Sequence, residues 1–267
     1  RHPPRARDRG GLPAGARGVT RFTLLGVPLD PLTEAEAVDW VARAIIEGRP
    51  RLVISVNPER IMQAGRDPAL AAVLRGADLA LADGAGVVWA ARRLGRPLPE
   101  RVAGVDFVKA LAARGAAEGW RFFFLGGGPG VAAAAGRALA EAYPGFIMAG
   151  THAGSPHPAS DVATIEAVRS SGAQLLFLAY GAGAEEAWLA RNLGPSGATV
   201  GMGVGGALDF ISGRARRAPR WMRKWGLEWL HRLSRQPWRW RRMIALPRFV
   251  IRVMREAGHG PSPSGGR

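Results

Sequence analysis

The chain has 267 residues, 47% of them hydrophobic, with no cysteine and a formal net charge of +16. That length suits one α/β domain with an extension, and the hydrophobic content excludes a disordered chain. The missing thiols exclude disulfides and cysteine-based nucleophiles or metal sites, and no apolar run reaches the roughly 18–20 residues that span a bilayer.

Residues 1–21 hold six Arg and one Asp and read as a flexible basic arm without a signal-peptide core. Residues 22–213, with a net charge of only −2, read as alternating strands and helices. Thr33 followed by Glu36 predicts a capping box for a helix that ends near Gly48. Short apolar runs predict buried strands at Arg51–Val56, Asp78–Asp83, Arg121–Gly127, Phe146–Thr151, Leu175–Gly181 and Ala198–Gly205. Ala-rich segments of helical length lie between them, and Pro129 suits a first helical turn. The expected fold is α/β: a Rossmann-like, mostly parallel sheet with helices on both faces and a C-terminal helical appendage. That appendage, residues 214–256, holds thirteen Arg, one Lys and two Glu. Trp221, Trp225 and Trp229 recur at the spacing of one helix face, Pro237 and Pro247 are expected to break the segment, and Phe249–Arg255 reads as a last short amphipathic helix. Residues 257–267 read as a disordered tail. With a near-neutral centre and basic ends, nucleic acid is not an expected partner, and a membrane surface is.

Ligands of open α/β sheets bind at the carboxyl ends of strands, so polar groups there are candidates. Ser55 and Asn57 could contact a sugar or ribose, or serve as helix caps. Asp83, before Gly84, is a candidate general base, with capping as the alternative. Arg101 could bind a carboxylate or phosphate, or pair with Asp106 at the surface. Gly126 and Gly127 lie in a strand–glycine–helix turn that suits a phosphate but lacks the Lys-Ser/Thr of a Walker loop. Glu185 and Glu186 suit a first helical turn. Gly205 allows close approach of a ligand, and Asp209 could accept a hydrogen bond from a ribose or base. The five His lack metal-ligand spacing and no Asp-x-Asp occurs, so no metal and no cofactor are expected.

Taken in order, the motifs Ser55-Val56-Asn57-Pro58-Glu59, Asp83-Gly84, Arg101-Val102-Ala103-Gly104-Val105-Asp106, Phe124-Leu125-Gly126-Gly127 and Gly203-Val204-Gly205-Gly206 resemble the WecG/TagA/CpsF family of bacterial glycosyltransferases. Arg217-Ala218-Pro219 and Gly226-Leu227-Glu228-Trp229-Leu230-His231-Arg232-Leu233 extend the resemblance into the appendage. It implies inverting, metal-independent transfer of an N-acetylhexosamine-type sugar from a UDP-sugar to a polyprenyl-diphosphate-linked acceptor. The place would be the inner face of the cell membrane, in cell-surface polysaccharide synthesis, and a homo-oligomer is compatible with it. By resemblance, Asp83 is the base for the acceptor hydroxyl, Ser55 stands where the family usually has Thr, and Arg232, Arg239 and Arg242 close over the donor diphosphate. One departure stands out. The family's Pro-Lys-Gln-Glu-x-Trp reads Gly183-Ala184-Glu185-Glu186-Ala187-Trp188 here, so Glu185 replaces a functional Gln and brings a charge that needs an Arg partner near a diphosphate. That departure motivates a rival reading, a non-catalytic membrane or glycolipid-binding protein on a decayed scaffold.

Overall fold

Successive side chains of a strand point to opposite faces, so a strand buried along its whole length must be covered on both sides. β3 (Arg51–Val56), β4 (Leu79–Ala82) and β8 (Val200–Gly203) are buried throughout, as is β5 (Arg121–Gly126) after its first residue. With β6 (Ile147–His152) and β7 (Leu175–Ala179) they form one parallel sheet of six strands, in the order β4-β3-β8-β7-β5-β6. The computed structural model describes residues 20–219, 221–222, 225, 227–235, 240 and 244–258, with Arg232 and Arg235 described by their backbone alone. All six predicted strands are present.

Phe122, Phe124, Phe177 and Met202 pack on one face against α1 (Glu34–Glu47), α5 (Gly104–Glu118), α6 (Val131–Ala142) and α9 (Ala207–Ile211). Ile54, Phe123, Leu176 and Leu178 pack on the other, against α2 (Pro58–Ala64), α3 (Pro68–Arg75), α4 (Ala85–Arg93), α7 (Asp161–Ser171) and α8 (Ala184–Ser196). β8 comes last in the chain yet lies at the centre, between β3 and β7. Its glycines permit that. A Cβ on Gly201 would stand 2.6 Å from Leu189 Cδ2, and one on Gly203 2.6 Å from Glu185 Oε2. α8 can therefore press directly onto the middle of the sheet.

Thr33 caps α1 as expected: Glu36 N–H donates to Thr33 Oγ1 at 3.2 Å, and Thr33 N–H to Glu36 Oε2 at 2.8 Å. Thr33→Ala is expected to cost about 1 kcal/mol in urea unfolding, and no loss would mean that the box contributes nothing. Pro129 precedes α6, which starts only at Val131, because Gly130 with φ +73° forms the cap. An antiparallel hairpin of β1 (Phe22–Leu24) and β2 (Val27–Leu29) was not expected. It is anchored by Asp30, which accepts from Ala80 N–H at 2.7 Å and pairs with Arg21 at 2.6 Å. Arg21 therefore belongs to the fold and not to a flexible arm.

The appendage contributes α10 (Glu228–Arg235) and α11 (Ala245–Gly258). Pro247 lies in the first turn of α11, where a missing N–H costs nothing, so it does not break the helix. Phe249 and Val253 of α11 are buried in the core beside α2 and α4. Trp221, Trp225 and Trp229 do not share one helix, since Leu227 interrupts helical structure before α10. Arg239, Arg242 and Trp238 lie outside the described residues.

Candidate active site

A cavity of about 500 Å³ opens where the carboxyl ends of β3, β4, β5, β7 and β8 converge. This is where a parallel sheet presents loops and helix starts to a ligand. Ser55, Asn57, Asp83, Arg101, Gly127, Gly205 and Asp209 all line it. So do Arg217, Glu228 and Trp229 from the appendage.

Asp83 follows β4 directly and is held from two sides. Ser55 Oγ, at the neighbouring end of β3, donates to its Oδ2 at 3.1 Å, and Gly104 N–H reaches the same oxygen at 3.5 Å. Among the described residues, Oδ1 has no hydrogen-bond partner. Burial pushes the Asp83 carboxyl above its ordinary range. The positive charge of Arg101 and the bond from Ser55 pull it back only in part, and the charge of Glu228 adds to the rise. A carboxylate with raised proton affinity, facing a cavity, is equipped to take a proton from a hydroxyl. If Asp83 is that base, the rate should fall on the acid side with a midpoint above the ordinary aspartate value of 3.8. A pH–rate profile flat through that region would oppose the assignment.

Asn57 lines the cavity and also caps α2, accepting from Arg60 N–H at 2.9 Å. Asp209 lines it with no side-chain partner among the described residues.

Three expected site residues stand elsewhere. Glu185 is fully buried behind the cavity wall, and both of its oxygens are engaged. Oε1 accepts from Gly181 N–H and Gly205 N–H, both at 2.9 Å, and Oε2 pairs with Arg60 at 2.9 Å. It therefore joins the loops after β7 and β8 and does not face a substrate. Asp106 is outside the lining because Arg217 grips its carboxylate with both terminal nitrogens, Nη2–Oδ2 at 2.8 Å. Arg101 consequently pairs with Glu228 and not with Asp106. Gly126 is also outside the lining. Its φ is +87°, and a Cβ there would meet the Tyr180 ring at 2.7 Å, so its role is to admit that ring. Gly127 lines the cavity, but its N–H donates to Ala179 O at 2.9 Å and so is engaged within the fold. The side chain of Arg232 is outside the described residues.

Arg60 was missed by the sequence reasoning. It is buried, donates to Ser55 O at 2.8 Å, and pairs with Glu185 and with Glu186 at 2.7 Å. This is the Arg partner that the charge at Glu185 needs. Only its place after Asn57-Pro58-Glu59 hinted at it, since its carboxylate partners lie 125 residues or more along the chain. Arg217 and Glu228 were visible as motif members without a role.

Among the described residues, no group of three or more His, Asp or Glu side chains is placed to share a metal ion.

The family model described as "Glycosyl transferase WecG/TagA/CpsF family" matches residues 22–262. The chain is 32% identical over 219 residues, 81% of this chain and 84% of the relative, to an N-acetylglucosaminyldiphosphoundecaprenol N-acetyl-beta-D-mannosaminyltransferase of Bacillus spizizenii. It is 31% identical over 237 residues to a protein of the same description from Bacillus subtilis, covering 88% of this chain and 91% of that one. A family match across nearly the whole chain, with relatives above 30% identity, makes this protein a glycosyltransferase of the WecG/TagA/CpsF family.

Proposed function

We propose that the chain transfers an N-acetylhexosamine-type sugar, N-acetylmannosamine being the first to try, from a UDP-sugar to N-acetylglucosamine on a polyprenyl diphosphate. The observation that carries this reading is Asp83, a carboxylate of raised proton affinity in the cavity where the strand ends meet. The acceptor and the sugar come from the relatives, whose names specify a mannosaminyl group and a diphosphoundecaprenol-linked N-acetylglucosamine.

Asp83 takes the proton of the acceptor hydroxyl. The oxygen then attacks the anomeric carbon from the face opposite the leaving group, and the bond from that carbon to the phosphate oxygen breaks. UDP leaves with the electron pair, and the anomeric centre is inverted. Ser55 orients Asp83, and the loops of Gly127 and Gly205 leave room for the nucleotide, with Asp209 on the uridine side. Arginines of the appendage offset the negative charge of the leaving diphosphate, a role that a metal ion fills elsewhere. Arg60 gives Glu185 a cation partner, shared with Glu186, which supports reading this departure as a change in the fold's interior rather than as decay.

We further propose that the appendage rests on the inner membrane surface. Trp221, Trp225, Trp240, Ile251 and Met254 are exposed on it amid arginines, a combination that suits an anionic lipid interface. No helix among the described residues is long and apolar enough to cross a membrane. Trp221→Ser with Trp225→Ser should weaken sedimentation with anionic vesicles by about tenfold or more, since a fully buried large apolar side chain contributes roughly 1.5–3 kcal/mol and these two would be only partly inserted. Undiminished vesicle binding would remove these residues from the contact.

Removing everything after Gly213 is no clean test of the appendage, because it would also strip Phe249 and Val253 from the core. A donor screen tests the reaction directly. UDP should be released only when a UDP-sugar and the polyprenyl acceptor are both present, with or without chelator. Chelator-sensitive release, or release without acceptor, would contradict the proposal.

A further inference from the structure

An internal carboxylate stands in the cavity between two guanidinium groups. Glu228, in the first turn of α10, has Oε2 3.5 Å from Arg101 Nη1, and its Oε1 accepts from Arg217 Nε at 3.2 Å. Arg101 comes from the loop before α5, and Arg217 from the segment after α9. Arg217 is held in place by the carboxylate of Asp106, which takes both of its terminal nitrogens and leaves Nε for Glu228. The three cavity-lining side chains keep 16–22% of their surface exposed, so a solute can reach them.

A carboxylate and a phosphate offer a guanidinium the same kind of paired oxygens, and the phosphate brings at least as much charge. These pairs are part-buried but reached from the cavity, so an entering anion with at least as much charge can take the place of the carboxylate. The rest of the pair of arginines is already organised: Asp106 fixes Arg217 whether or not Glu228 is present. Glu228 has no such second anchor, because among the described residues its carboxylate is held only by these two arginines.

We propose that Arg101 and Arg217 form a diphosphate subsite and that Glu228 is its internal stand-in, displaced when a diphosphate ester enters. The inference rests on the reading given above, in which both substrates carry a diphosphate.

The test is calorimetric titration of the full chain, in separate arms, with UDP and with a short-chain polyprenyl diphosphate. The ligand of this subsite should bind Glu228→Gln about fivefold more tightly than wild type, through loss of a competing charge. It should bind Arg101→Gln roughly tenfold more weakly, through loss of a charge-assisted bond. A response confined to UDP assigns the subsite to the donor, and one confined to the lipid assigns it to the acceptor. Opposite shifts in the two variants cannot come from a shared folding defect. Unchanged or weakened binding of both ligands by Glu228→Gln would overturn the proposal. Sugar transfer measured in parallel separates the two ideas: the affinity pattern without any transfer supports the subsite and counts against the reaction.

Discussion

Asp83→Asn is expected to slow sugar transfer by about 10²- to 10⁴-fold, the usual contribution of a positioned general base. Its fold should be at least as stable as wild type. The sign follows from the raised proton affinity of Asp83. A carboxyl whose pKa is higher in the folded state stabilises the fold while protonated, and that contribution is lost as pH rises through the folded value. At neutral pH the ionised Asp83 is therefore a cost, and the neutral amide of Asn removes it. Asn keeps the acceptor oxygen for Ser55 and Gly104. Loss of transfer with an unchanged or raised Tm is the expected pair of results. Equal losses of activity and Tm would instead mark Asp83 as structural.

Arg60→Met is expected to give the largest loss of stability, about 3–5 kcal/mol in urea unfolding, as for any buried ion pair stripped of one partner. It leaves Glu185 and Glu186 buried together without a cation and frees Ser55 O from its donor. Burial already raises the Glu185 carboxyl, Arg60 lowers it, and the neighbouring Glu186 raises it. Removing Arg60 should therefore leave a carboxyl that folds only protonated, and the variant should regain stability as pH falls. Glu185→Gln should be milder, since a Gln Oε1 can still accept from Gly181 and Gly205. Arg60→Met combined with Glu185→Gln should recover part of the loss. A double variant no better than Arg60→Met would mean that the two side chains do not act as a pair.

The central strands were legible because each is an apolar run covered on both faces, which no surface element resembles, while β6 at the sheet edge is only half-buried and was read from the shorter run that opens it. Their order was not legible, because nothing local in β8 says that it inserts between β3 and β7. The glycines that allow it, Gly201 and Gly203, are explained only by the side chains of α8 lying over them. The β1–β2 hairpin escaped notice for a different reason. Its strands are three residues long, too short for periodicity, and Asp30 holds them through a residue fifty positions away. At the site, Ser55, Asp83 and Asp209 were legible as polar groups after apolar or glycine-rich strand ends, the place where a parallel sheet binds ligands, and Arg101 as an anion-binding candidate after a Pro-rich loop. Glu185 was legible as a departure from a pattern but not as a buried tie between two loops. Its meaning depends on Arg60, and a pair so distant in the chain leaves no local trace. The tail read as a membrane-docking appendage that closes the site, yet Phe249 and Val253 make part of it core.

The most direct measurement follows labelled N-acetylmannosamine from its UDP donor onto N-acetylglucosaminyl-diphospho-polyprenol, with the anomeric configuration of the product determined. Wild type should yield a lipid-linked disaccharide with inverted configuration, and Asp83→Asn should yield next to none. A product of retained configuration, hydrolysis of the donor without lipid product, or equal yields from both proteins would contradict the assignment of Asp83 and its cavity as the active site.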